Sequence, residues 1–387
     1  MRAVAYSAEN DLTLLHRGDE YFPELITAFD QARFEIHLET YIFARDPTGN
    51  LIKAALARAA GRGVAVHVLT DWVGTGHRES AMLNHEFAQA GVAHRSFNPW
   101  FRRGVTRMHR KMCVVDGEVA YLGGLNIIDD WVDDSDPALR LPAPRWDFAI
   151  RIRGPLVATI ADELKAQWAR LGRMPLITRI EKLARRHRFR AAPGTAPAMA
   201  ALILRDNFRN RITIQRAYLH ALGRARREAF LVTPYFAPGR KLRRALEAAA
   251  QRGVAVTLLL GVGQFRMQDA VAQAYYPKLL RAGVRIVEYR KTQLHGKVAV
   301  IDGDWATVGS SNYDGLSLFV NQEANIVIKD ADFSEALRDH IMNGIEDGTP
   351  IRMEEFGNIS WLRRLSHNAA FLLYRSAMRI ITFGEFN

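Results

Sequence analysis

Met108-His109-Arg110-Lys111-Met112-Cys113-Val114-Val115-Asp116, followed after six intervening residues by Gly123-Gly124-Leu125-Asn126, decides how this chain is built. The frame is His-x-Lys-x4-Asp-x6-Gly-Gly-x-Asn. It returns at His295-Gly296-Lys297, Asp302 and Gly309-Ser310-Ser311-Asn312, each position 186 residues further on. A single His-x-Lys carries almost no information, but a second copy in register, with matching Asp, Gly and Asn, marks a duplication. The chemistry is therefore expected where the two copies meet.

The flanks of the motif repeat as well. Residues 12–15 read as a short strand, 21–32 as a helix, 34–43 as a strand, 50–60 as a helix and 64–69 as a strand. A further helix ends at Gly91, and a strand follows over 92–97. Such alternation predicts a largely parallel sheet with helices on its faces. The stretch from Glu228 answers the one from Glu35. Ala250-Gln251-Arg252-Gly253-Val254 answers Ala60-Gly61-Arg62-Gly63-Val64, and Ala282-Gly283-Val284 answers Ala90-Gly91-Val92. So long a period excludes a solenoid. The expected fold class is α/β: a tandem duplication of a mixed, mainly parallel sheet flanked by helices, packed as a pseudo-twofold monomer. The expected units are residues 1–171 with the first motif, a basic linker over 172–197, residues 198–348 with the second motif, and a helical tail over 349–387.

Lys and Arg outnumber Asp and Glu by 53 to 41, a net charge of +12, which calls for an anionic partner. Cys113 is the only cysteine, so no intrachain disulfide forms and a reducing compartment is expected. The N-terminal stretch lacks the apolar core of a signal peptide. No uncharged apolar run reaches about 18 residues, so the chain is expected to lie on a membrane rather than span it. The arginine-rich 172–197 linker suits either an anionic surface or solvent. In the tail, Trp361, Leu362, Leu365, Ala369, Leu372, Leu373 and Ile380 form an apolar stripe, with Arg364, His367, Arg375 and Arg379 mainly off it. This pattern predicts a helix lying in the lipid interface, against the alternative of one docked on the core.

In an extended segment His109, Lys111 and Cys113 point the same way, as do His295 and Lys297. A histidine beside a lysine suits a phosphate: lysine holds an oxygen, and histidine attacks phosphorus or moves a proton. With His109 and His295 on opposite sides of one phosphorus, one attacks and the other protonates the leaving oxygen, passing through a phosphohistidine. Lys111, Lys297, Asn126, Asn312 and Ser310 are the expected holders of the phosphoryl oxygens. The glycines are expected to permit close backbone approach. Asp116 and Asp302 belong to the catalytic motif, but each precedes a glycine and reads as organising a turn. Asp147 and Glu323 each open the strand after a motif and are the expected histidine-orienting acids. The acidic run 129–137 lacks metal-loop spacing and reads as a solvated loop. No metal or other cofactor is called for. His85, His187, His220, His340 and His367 receive no role.

These paired motifs resemble the phospholipase D superfamily over residues 12–346. Gly123-Gly124-Leu125-Asn126, Leu294-His295-Gly296-Lys297-Val298, Trp305 to Asn312 and Asn321-Gln322-Glu323-Ala324-Asn325 are similar to bacterial cardiolipin synthases. The lack of leading membrane-spanning helices resembles their B-type branch. The resemblance implies the phospholipase D fold and transfer of a phosphatidyl group to phosphatidylglycerol. With phosphatidylglycerol also as donor, the products are cardiolipin and glycerol. It implies His109 as nucleophile and His295 as acid/base, and a peripheral place on the cytoplasmic side of a bacterial cell membrane, with an anionic phospholipid surface as partner rather than nucleic acid. The competing readings are a phospholipase D-type hydrolase or nuclease on the same site, and a lipid-binding module with a relic site. Oligomeric state is not legible in the sequence.

Overall fold

The computed structural model describes residues 4–134, 136, 138–172, 198–207, 210–354 and 361–381, the last segment with side chains from residue 369. The expected linker beyond Gly172, and with it His187, lies outside the described residues, as do the side chains of Trp361, Leu362, Arg364, Leu365 and His367.

The first half runs β1 (Ser7–His16), α1 (Arg17–Gln31), β2 (Glu35–Thr40), α2 (Pro47–Gly61), β3 (Ala65–Asp71), α3 (His77–Gln89), β4 (Ala93–Phe97), β5 (Met112–Val115), β6 (Val119–Gly123), β7 (Phe148–Arg153) and α4 (Leu156–Leu171). The second repeats that order as β8 (Ala198–Arg205), α5 (Thr213–Arg224), β9 (Glu228–Thr233), α6 (Arg240–Gln251), β10 (Ala255–Gly261), α7 (Arg266–Arg281), β11 (Arg285–Tyr289), β12 (Val298–Ile301), β13 (Trp305–Gly309), a short α8 (Gly315–Phe319), β14 (Glu323–Lys329) and α9 (Ala331–Glu346). An edge strand β15 (Thr349–Ile351) and α10 (Trp361–Ile381) follow.

The sheet order is β15-β11-β10-β9-β12-β13-β14-β8-β1-β7-β6-β5-β2-β3-β4. Leaving β15 aside, it reads alike from both ends, and antiparallel β1 and β8 meet in the middle. The sheet is mixed, as expected, but its parallel part is smaller than the β-α alternation suggests. Among the described strands, only β2-β3-β4 and β9-β10-β11 pair in parallel. The motif itself is a hairpin, β5-β6 or β12-β13, and it joins the sheet antiparallel. A hairpin needs only a short turn, whereas each parallel pair needs a helical crossover.

Helices start where the chemistry of their ends requires. α2 begins earlier than its alanine-rich body because Asp46 caps it, accepting Gly49 N–H at 2.7 Å, with Pro47 in the first turn. α1 begins at Arg17, with Asp19 and Glu20 in its first turn. Its N-cap is His16, whose side chain makes no cap bond, so no Ser, Thr, Asp or Asn signals the start.

One apolar cluster lies between the halves. It joins Met112, Leu122, Phe148 and Ile150 with Val298, Val308, Ile326 and residues of α4 and α9. Two others fill the opposite faces, under α1–α3 and under α5–α7. Cys113 is buried in the first of these and takes no part in the cleft; burial pushes its thiol well above the usual range.

The tail takes the alternative expectation, a helix docked on the body. α10 docks through Ala370, Phe371 and Tyr374, the Tyr374 hydroxyl accepting Gly315 N–H at 2.8 Å, and Met378 is buried. Yet Leu372, Leu373 and Ile380 of the predicted stripe stay exposed. Among the described residues, no helix is long and apolar enough to cross a membrane.

The motif aspartates build the hairpins. Asp116-Gly117 and Asp302-Gly303 all have positive φ (53° and 69°, 55° and 76°), the two-residue turn that matches strand twist. Asp116 accepts the N–H groups of Arg33, Phe34 and Glu35, and Asp302 those of Arg226, Arg227 and Glu228. Burial acts to raise the Asp302 pKa, but these donors hold it below the usual value. Both carboxylates staple the far end of the hairpin to the strand beside it. They are thus not placed with the histidines, which corrects their grouping with the catalytic residues. Asp302→Ala is expected to lose about 1–3 kcal/mol of stability by urea titration, while the folded fraction keeps its activity within a few fold.

Candidate active site

Each histidine is set by a short parallel bridge between the halves. Met108 pairs with Gln322, and Leu294 with Trp146. His109 N–H donates to Gln322 O at 2.9 Å, and His295 N–H to Trp146 O at 2.8 Å. The next residue after Gln322 is Glu323, and after Trp146 it is Asp147. The bridges therefore bring each histidine beside the acid of the opposite half.

His109 Nδ1 lies 3.0 Å from Glu323 Oε2 and 3.1 Å from Ser310 O. His295 Nδ1 lies 2.5 Å from Asp147 Oδ2. With Nδ1 facing a carboxylate, the proton sits there and the Nε2 lone pair is free. Both acids are buried. Burial acts to raise their pKa values, but the adjacent histidines and buried lysines win and keep them ionised. Burial and the lysines depress both histidines, His295 to about 4, against the pull of the acids. The imidazoles are neutral near pH 7, the form able to attack phosphorus or take a proton.

Lys111 and Lys297 are buried. Lys111 Nζ donates to His109 O at 2.7 Å, and Lys297 Nζ donates to His295 O. Burial lowers Lys111 to about 7, helped by Lys297, and lowers Lys297 to about 8. An anion between them would raise both, so the pair favours a phosphate over a neutral group. Asn126 and Asn312 are buried as well; Asn126 Oδ1 accepts Ile42 N–H at 3.2 Å, and Asn312 Oδ1 has no hydrogen-bond partner.

One expectation about this site changes. Ser310 was expected on the phosphate, but its hydroxyl donates to Glu323 Oε2 and accepts Ala324 N–H at 3.1 Å. It holds the acid rather than the substrate. The glycines permit the close approach expected of them, with the neighbouring strand as the element that approaches. A Cβ on Gly124 would stand 2.2 Å from Asp147 Oδ1, and one on Gly309 would stand 2.3 Å from Asn325 Cγ. Gly124→Ser, which copies the second motif into the first, is thus expected to push Asp147 off His295. Activity should fall about 100-fold, with roughly 1–3 kcal/mol of stability lost, measured by product formation and denaturant titration.

The solvated reading of 129–137 is corrected at two positions only, since Trp131 and Asp136 are exposed and residues 135 and 137 lie outside the described residues. Asp130 and Asp133 are buried. Asp130 accepts Gly18 N–H and pairs with Arg145 Nη1 at 3.4 Å. Asp134 Oδ1 accepts the side-chain amides of Gln264 and Gln293, the latter at 2.6 Å. Its Oδ2 stands 3.9 Å from His295 Nε2, the reacting side of the ring. Asp130 and Asp134 each found a donor far off in the chain, a pairing that local composition does not reveal. Position 320, the counterpart of Asp134 at the motif spacing, is Val320, so this feature belongs to one half only.

Sequence reasoning missed two further positioning groups. Asp71, at the end of β3, accepts Met108 N–H at 2.8 Å and so fixes the residue before His109. Arg110 is buried between Glu39 and Glu163, at 2.8 and 2.9 Å.

The family model described as cardiolipin synthase, PLD-like domain, matches residues 25–136 and 218–343, which hold both motifs. The chain belongs to the phospholipase D-like cardiolipin synthase family. It is 38% identical over 345 residues to cardiolipin synthase B of Escherichia coli (strain K12), covering 87% of this chain and 80% of that protein. Cardiolipin synthase of Clostridium perfringens (strain 13 / Type A) is 27% identical over 375 residues, covering 95% and 77%. Phosphatidylserine synthase of Haemophilus influenzae superposes with a TM-score of 0.72 over 98% of this chain and 96% of that one, at 13% identity. That likeness shows the shared fold. This cardiolipin synthase family member carries both histidines, both lysines and both opposed acids at the junction of its two halves.

Proposed function

We propose that the protein is a phosphatidyltransferase making cardiolipin from two phosphatidylglycerols, with His109 as nucleophile and His295 as acid and base. The crossed His109–Glu323 and His295–Asp147 pairs carry this reading, because they put two oriented imidazoles at one junction. Cardiolipin synthases among its relatives supply the substrate class.

His109 Nε2 attacks the phosphorus of the donor. The bond from phosphorus to the headgroup glycerol oxygen breaks, and His295, which takes up a proton from solvent as the anionic donor enters and holds it between Asp147 and Asp134, gives that oxygen the proton. Glycerol leaves a phosphatidyl group on His109. A hydroxyl of the second phosphatidylglycerol then gives its proton to His295 and its oxygen bonds to phosphorus. The phosphorus–nitrogen bond breaks, freeing cardiolipin and His109. Lys111, Lys297, Asn126 and Asn312 hold the unesterified oxygens.

Asp134 breaks the symmetry in favour of this order. A carboxylate 3.9 Å from His295 Nε2 stabilises the imidazolium that serves as acid, whereas it would repel a phosphorus bound to that same nitrogen. His109 has no such neighbour among the described residues, and its side chain is 12% exposed against 6% for His295.

The reading puts the protein at an anionic phospholipid surface, on the cytoplasmic side of the cell membrane; among the described residues no helix is long and apolar enough to cross it. Product analysis with defined lipids tests it. Phosphatidylglycerol alone should give cardiolipin and glycerol in equal amounts. Phosphatidic acid as the sole lipid product, or preferred cleavage of DNA, would replace transfer by hydrolysis.

A further inference from the structure

The loop between β4 and the first motif, Asn98-Pro99-Trp100-Phe101-Arg102-Arg103-Gly104-Val105-Thr106-Arg107, has no part in the chemistry above, yet it is built with care. Trp100 is 71% exposed, Phe101 51% and Val105 52%. Three large apolar side chains within six residues face water, with Arg102 and Arg103 exposed between them.

The exposure is enforced by the backbone. Asn98, Trp100 and Phe101 all adopt positive φ (54°, 56° and 54°). For bulky residues that conformation costs on the order of 1 kcal/mol each and persists only when the surroundings fix it. Asn98 supplies the fixing. It is buried, its Nδ2 donates to Gly104 O and Thr106 O at 2.8 and 2.9 Å, and its Oδ1 accepts Arg103 N–H at 2.6 Å. Trp72 supports the tip from below, its ring 5.2 Å from Trp100 and 5.7 Å from Phe101. The Arg107 guanidinium lies 5.2 Å from the Phe101 ring. The loop is thus a fixed apolar tip in a cationic collar.

We propose that this loop is the element that docks the enzyme on an anionic lipid surface, and that it sets the catalytic cleft at the depth of the lipid phosphates. Tryptophan and phenylalanine suit the boundary between headgroups and acyl chains, and arginines beside them suit the phosphate layer. Position supports it. Val105 is four residues from His109, so at most about 14 Å of chain separates the tip from the nucleophile. Arg107 O accepts Gln322 N–H, and His109 N–H donates to Gln322 O, so the loop leads straight into the bridge that fixes His109. Asn207 Nδ2 also donates to Thr106 Oγ1 at 2.7 Å, tying the loop's base to the second half. A donor lipid could then reach His109 while its acyl chains stay in the bilayer.

The inference rests on the phospholipid reading of the site but is tested apart from it. Trp100→Ser/Phe101→Ser should bind phosphatidylglycerol vesicles at least tenfold more weakly in flotation. It should make cardiolipin from those vesicles about tenfold more slowly, yet keep the wild-type rate on a short-chain phosphatidylglycerol dissolved as monomers. Unchanged vesicle binding would overturn the proposal and leave adhesion to α10. As a readout that does not depend on that variant's folding, Val105→Cys labelled with a polarity-sensitive dye should shift to the blue on adding phosphatidylglycerol vesicles; Cys113 is buried and should stay unlabelled. An unshifted spectrum on protein that co-floats with the vesicles would likewise overturn it. Failure of the wild type to make cardiolipin even from monomeric lipid would instead refute the assigned reaction, whatever the dye reports.

Discussion

His109→Ala and His295→Ala are each expected to reduce cardiolipin formation by about 10⁴-fold or more, because residues that act as one unit fail together. The two variants should differ once the leaving group needs no proton. With a p-nitrophenyl ester of phosphatidic acid, His295→Ala should still release a burst of p-nitrophenol equal to the enzyme present, then stall, since His109 attacks without help from an acid. His109→Ala should show no burst. Each variant leaves a buried acid short of its imidazole partner, Glu323 or Asp147. A stability loss of roughly 1–3 kcal/mol is therefore expected as well, and rates must be referred to the folded fraction. A normal turnover rate in either variant contradicts the two-histidine mechanism.

The second large effect follows from the crossed pairing. Asp147→Asn lies in the first half but should damage His295 in the second. Glu323→Gln should damage His109 in the first. An amide in either place can present N–H to Nδ1 and drive the proton to Nε2, where it blocks attack or proton uptake. Loss of that kind reaches about 10⁴-fold when an orienting acid is neutralised in this way. On the activated ester, Glu323→Gln should slow the burst itself, while Asp147→Asn should leave the burst and slow only the steps after it. The opposite assignment, with Asp147→Asn slowing the burst, would show that the nucleophile is His295. Combining Asp147→Asn with His295→Ala should be no worse than His295→Ala alone, because both remove one function.

The duplication was legible because it is written in register: His109 with His295, Lys111 with Lys297, Asp116 with Asp302. The mirrored sheet order follows from it, since two copies of one β-α unit build two copies of one half-sheet. The turn role of the aspartates was legible too, in the glycine that follows each. The crossing of the acids was not. It depends on parallel bridges at Met108–Gln322 and Trp146–Leu294, contacts between residues far apart in the chain that leave no local pattern. Ser310 looked like a phosphate ligand because hydroxyls often are, and only its distance to Glu323 reassigns it. Asp134 was hidden by its company. Four aspartates in a six-residue stretch read as a solvated surface, yet Arg145 pairs with Asp130, and Gln264 and Gln293 donate to Asp134. The tail stripe mixed two faces, because its apolar residues serve docking at Phe371, Tyr374 and Met378 and remain exposed at Leu372, Leu373 and Ile380.

The covalent intermediate is the most direct test of the account. Enzyme mixed with phosphatidylglycerol, quenched within its first turnover at alkaline pH to preserve a phosphoramidate, and digested for mass spectrometry should carry a phosphatidyl group on His109. In His295→Ala given the activated ester, that adduct should accumulate toward one per enzyme. A phosphatidyl group found on His295, or no adduct at all in enzyme that is turning over, would contradict the assignment of His109 as the nucleophile.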